Sequence, residues 1–134
     1  MPETMTIGRL AKAAGVNVET IRYYQRRGLL MEPRKPPGGH RRYTSVVLRQ
    51  VAFIRRAQQL GFTLEEIGKL LEMCSSDDQG EALTIAEQRR EVLHARVVEI
   101  LRMREELDRL IDACRKSKGR GPSPLIRALF GDDD

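Results

Sequence analysis

From Ala82 to Lys116 the chain runs for more than thirty residues without a proline or a glycine, and its apolar residues return on a helical period. Ala86, Leu93, Ile100, Leu107 and Cys114 recur every seven positions, and Val97, Met103, Leu110 and Ile111 widen the stripe into a coiled-coil seam. Glu99, Arg102, Glu105, Glu106, Asp108 and Arg109 take the other faces, as solvent-exposed or ion-paired positions do. A helix of about 45 Å or more cannot bury this stripe against itself. Packing back onto the same chain is the alternative, but the helix overreaches a head of about sixty residues, so the economical expectation is a homodimer.

What precedes the long helix reads as a small basic head. Residues 1–60 hold twelve Lys or Arg against three acids, a balance of +9, whereas residues 61–134 stand at −4. Confined positive charge of this kind is the footprint of a nucleic-acid binder, with a solvated basic face as the plainer reading. Thr6 caps a first helix whose Ile7, Leu10, Ala11 and Ala14 form one stripe, and Gly15 permits a sharp turn. Asn17 caps a second helix that turns Ile21 and Tyr24 inward and Thr20, Arg22, Tyr23, Arg26 and Arg27 outward. The pair predicts a helix-turn-helix.

Pro33 to Gly39 cannot continue a helix, and His40 to Tyr43 can be extended, which is the layout of a hairpin wing carrying Arg34, Lys35, Arg41 and Arg42. A further helix is expected over Ser45 to Leu60, with Val47, Val51, Ile54 and Leu60 inside and Arg55 and Arg56 outside. Gly61 ends it, and the capping-box spacing of Thr63 and Glu66 opens a helix that packs Leu64, Ile67, Leu70 and Leu71 inward. The expected fold class is therefore mainly α: a winged helix-turn-helix head followed by a long dimerisation helix.

The segments T-I-G-R-L-A-K-A-A-G-V, E-T-I-R-Y-Y-Q-R-R-G-L-L, H-R-R-Y and L-G-F-T-L-E-E-I, with P-L-I-R-A-L near the end, resemble the MerR family of bacterial regulators, most of all its mercury-resistance branch. The resemblance implies a head over residues 1–72, a linker over 73–81, a dimerisation helix over 82–116 packed antiparallel, and an effector-loop region and tail over 117–134. It implies a homodimer on a palindrome in double-stranded promoter DNA, which distorts that DNA on effector binding so that RNA polymerase can engage the promoter. Arg22 and Tyr23, Arg41 and Tyr43, and Arg55 are the DNA contacts it carries over. Thr20, Arg26 and Arg42 join them from the reading of the residues themselves.

In the mercury branch three cysteines hold the metal, and the corresponding positions here read Gln79, Cys114 and Ser123. One thiolate remains, so the usual three-thiolate site is incomplete. In an antiparallel dimer Cys74 of one copy can approach Cys114 of the other, and two thiolates suffice for a linear soft metal such as Hg(II). Against this, Cys114 reads as a small apolar seam residue, Cys74 as a helix-end residue, and a thiol redox response or a constitutive DNA binder is the other reading. His94 reads as a partly exposed helix residue and His40 as part of the wing. About twenty residues after the long helix leave no room for a drug-sized pocket of roughly 300 Å³ or more, which favours a small effector.

The chain carries no nucleophile with a candidate base, no phosphate-cradling glycine motif and no metalloenzyme His pair, so no enzyme is expected. No apolar run of about 18 residues occurs and the start lacks a signal-peptide pattern, so a cytoplasmic protein away from membranes is expected. Asp132 to Asp134 read as a disordered, solvating end.

Overall fold

The computed structural model describes residues 3–75 and 79–131. In chain order the elements are β1 (Thr4–Met5), α1 (Ile7–Ala14), α2 (Val18–Arg26), β2 (Tyr43–Thr44), α3 (Ser45–Gln59), α4 (Leu64–Glu72), a 3-10 turn (Met73–Ser75), α5 (Gly80–Ser117) and α6 (Pro124–Leu129). The chain divides into two compact units at Arg89 and Arg90. The Asp132 to Asp134 run lies outside the described residues, as does part of the expected linker.

Local chemistry sets the ends of the head's helices. Thr6 Oγ1 accepts the Arg9 amide at 3.3 Å to start α1, and Gly15, at φ 71°, takes the left-handed turn that ends it. Asn17 Oδ1 accepts the Thr20 amide at 2.8 Å and starts α2. At α4 both halves of the capping box form: Glu66 N–H donates to Thr63 Oγ1, and the Thr63 N–H donates to Glu66 Oε1 at 2.8 Å.

The core is where the stripes meet. Leu10 of α1, Ile21 of α2, Val51 and Ile54 of α3 and Ile67 of α4 are completely buried, joined by Tyr24, Leu30 and Tyr43. Leu60, expected inside, is 59% exposed. It falls off the Val51, Ile54, Ala57 face and serves as the C-cap of α3; Gly61, at φ 89°, turns the chain so that Phe62 packs on the core instead.

The wing departs from the expected hairpin. Between Met31 and Arg42 no strand forms; Gly39 N–H closes a turn onto Pro36 O, and only Tyr43–Thr44 is extended. Pro33, Pro36 and Pro37 have no N–H to donate to a ladder. The returning arm pairs antiparallel with the start of the chain, Met5 opposite Tyr43 and Thr4 opposite Thr44.

The long helix extends two residues further at its start and one at its end than expected, 38 residues in all, or about 57 Å. Within the first unit its opening turns bury Ile85 and hold Arg89 against Glu66 of α4 at 2.7 Å. In the second unit Leu93, Val97, Ile100, Met103, Leu107 and Ile111 of the seam are each more than a third exposed. After it, Lys118, Gly119 and Gly121 take left-handed conformations, and Ser123 with Pro124 opens α6, a short helix inside the region expected as effector loop and tail. No helix among the described residues is long and apolar enough to cross a membrane.

Candidate nucleic-acid interface

The outer face of α2 is set by the inner one. With Ile21 and Tyr24 in the core, Arg22, Tyr23, Arg26 and Arg27 are left exposed. Arg22 Nη1 lies 3.3 Å from Glu19 Oε1, and the Arg26 guanidinium stands over the Tyr23 ring at 5.9 Å. Thr20 is only partly exposed, and its hydroxyl donates to Asn17 Oδ1 at 2.9 Å, which makes it part of the cap.

Beside α2 the wing arm closes a concavity of about 570 Å³. Arg22, Gln25 and Arg26 line it from the helix, and Lys35, His40 and Arg41 from the arm. Arg41 is steadied there: its Nη2 pairs with Glu32 Oε1 at 2.9 Å and its Nε donates to Pro33 O at 3.1 Å. The result is a concave, predominantly cationic surface rimmed by guanidinium groups, which suits a phosphate backbone.

Besides Thr20, three of the residues expected to touch DNA have internal duties. Tyr43 is 2% exposed; its ring is core, and its hydroxyl accepts from Gln25 Nε2 at 3.0 Å, locking the arm to α2. Arg42 donates from Nε and Nη2 to the hydroxyl and carbonyl oxygens of Thr4, both at 3.1 Å, and so anchors β1. Arg55 Nη1 donates to the Ala14 and Gly15 carbonyls at 3.2 and 3.3 Å, satisfying the C-terminus of α1. Arg22, Tyr23, Arg26 and Arg41 are brought together on one surface. Gln25 and Glu32, which position Tyr43 and Arg41, were missed from sequence because nothing local marks them. Burial pushes the Tyr24 hydroxyl pKa up, with Arg55 opposing and Tyr23 adding, so Tyr24 stays a donor to Gln58 Oε1 at 2.7 Å.

The thiols lie in different units. Cys74 is exposed, with its Sγ directed at Leu70 O at 3.6 Å. Cys114 is half-buried on α5, and its Sγ is 3.9 Å from Ser123 Oγ. Cys114 also lines a half-open concavity of about 310 Å³ with Leu107, Leu110, Ile111 and Leu125, at the lower edge of the volume expected to be out of reach. Among the described residues no group of three His, Cys, Asp or Glu could hold a metal ion. A thiol and a hydroxyl do not make a three-thiolate site.

Residues 5–74 match the MerR HTH family regulatory protein model, and residues 48–110 match the MerR DNA-binding model. A mercuric resistance operon regulatory protein of Pseudomonas fluorescens is 45% identical over 129 residues, covering 96% of this chain and 90% of the relative. The fold is similar to the transcription regulator PbrR691 of Ralstonia metallidurans CH34 in complex with lead(II), at TM-score 0.74 and 33% identity over 82% of this chain and 87% of that one. It is also similar to MerR of Bacillus megaterium MB1 in complex with mercury(II), at TM-score 0.71 and 33% identity over 94% and 99% of the two chains. The chain belongs to the MerR family and is a DNA-binding transcription regulator.

Proposed function

We propose that the chain works as a homodimer on a palindromic promoter operator, presenting α2 to the major groove and the wing arm to the flanking phosphates, and that it activates transcription by distorting that DNA for RNA polymerase. The observation that carries this reading is the cationic concavity between α2 and the arm. The exposed seam of α5 supports the dimer, because an apolar stripe of this length is costly to leave in water. Sequence-dependent deformability gives distortion a physical basis as a signal.

For the effector the proposal is a thiophilic ion such as Hg(II), held by Cys114 with a second thiolate, Cys74 of a second copy. The support is the metal-bound relatives together with the chemistry of a linear two-thiolate site. A second reading, a regulator indifferent to metal, draws on Ser123 standing beside Cys114 where a third thiolate is needed. In vitro transcription from the protein's own promoter separates them. The metal reading predicts that Hg(II) raises transcript from wild type and that Cys114→Ser and Cys74→Ser each abolish the response. A response unchanged in Cys114→Ser, or none in wild type, selects the second reading.

A further inference from the structure

One acid stands among the cations on the exposed stripe of α2. Glu19 is 70% exposed and pairs with Arg22, itself 56% exposed, one helical turn away. An ion pair this open to water adds little to stability, and a carboxylate in the first turn of a helix adds a modest amount through the helix dipole. On a surface that meets phosphates a carboxylate opposes binding, and does so equally for every duplex. General affinity therefore gives Glu19 no reason to be there, and folding only a modest one.

Sequence reading does. In the major groove a carboxylate accepts from the amino group of cytosine, a contact no guanidinium makes, while an arginine fork donates to the two acceptors of guanine. Residues three apart on a helix are separated by about 4.5 Å along its axis, close to the roughly 3.4 Å between successive base pairs. Glu19 and Arg22 are paired on the exposed side of α2, Arg22 lining the cationic concavity and Glu19 a second depression with Thr20, Tyr23 and Gln58. Their neighbours are otherwise engaged: Thr20 in the Asn17 cap and Tyr23 under Arg26. We propose that Glu19 is a specificity-determining residue, accepting from a cytosine amino group beside the guanine that Arg22 reads, and lowering affinity for duplexes that lack it. The proposal rests on α2 being the recognition helix.

The test uses the full-length protein. Duplexes are selected by wild type from a random-sequence pool, and dissociation constants are measured for wild type, Glu19→Gln and Glu19→Ala across every single-base substitution and on an unrelated duplex. At one position in each half-site both variants lose a preference for cytosine of about tenfold, with Glu19→Gln moving toward adenine, and both bind the unrelated duplex more tightly. Arg22→Ala, which removes the donors, loses the guanine preference at the adjacent base pair. If affinity changes by the same factor on every duplex and each base preference survives, Glu19 acts only through its charge and the proposal fails. If wild type selects no common sequence, the recognition-helix reading itself fails, which is a separate result.

Discussion

Arginines of the head differ in the internal partners they hold, and the sequence does not tell them apart. Arg22 and Arg41 rim the concavity, whereas Arg55 is folded onto the carbonyls that end α1, about forty residues upstream in the chain. All three are expected at DNA from the resemblance, and what it does not convey is the distant backbone acceptor that Arg55 meets. Arg22→Ala and Arg41→Ala should weaken operator binding while sedimentation still reports the dimer and the melting temperature barely moves. Arg55→Ala should lower unfolding free energy by about 1–3 kcal/mol, since two helix-end carbonyls lose a charged donor. Unchanged stability there would show that these helix-end contacts contribute nothing. Tyr43 follows the same logic: Tyr43→Phe loses a hydrogen bond of about 0.5–1.5 kcal/mol, and Tyr43→Ala about 3–5 kcal/mol, both read by urea unfolding.

Among the elements, those with chemistry at their ends were legible. The Thr6, Asn17 and Thr63 caps and the Gly15 and Gly61 turns sit where the residue types place them. The wing was not, because Tyr43–Thr44 takes its partner strand from residues 4–5 rather than from the preceding arm. α6 was missed although Ser123 before Pro124 is a start signal, overshadowed by the glycines around it. The join of α4 to α5 was also out of reach of sequence. Glu66 Oε1 accepts both the Thr63 amide and Arg89 Nη2, and Arg89 is only 12% exposed. Desolvation pushes the Glu66 pKa up, but the Thr63 amide and hydroxyl and the Arg89 guanidinium outweigh it, leaving the carboxyl below its ordinary 4.5. A folded value below the unfolded one means the unfolded chain binds more protons between the two, so the stabilisation is complete above 4.5 and is lost as pH falls through the lowered value. The stability gap between wild type and Glu66→Gln should therefore be constant near neutrality and close in acid, as chemical denaturation at a series of pH values would report. A gap independent of pH would show that the carboxylate charge contributes nothing.

At the scale of the whole molecule the proposed regulator is two copies, each bringing a reading head. The heptad seam was plain in the sequence, and six of its large residues lie open on α5. Ile100→Asp, a charge at mid-seam, should halve the mass seen by sedimentation and abolish palindrome binding while the head keeps its helical content; a mass that stays dimeric would place the interface elsewhere. What the seam cannot convey is the effector, since one thiol beside a serine is compatible with several chemistries. The most direct test of the central claim is fluorescence anisotropy of a selected palindromic duplex titrated with protein across a range of salt concentrations. The account predicts saturation at two chains per duplex, a slope of log K on log salt steeper than about −4, at roughly −0.9 for each phosphate neutralised, and much weaker binding to a scrambled duplex. Salt-insensitive binding, or equal affinity for the scrambled sequence, would contradict it.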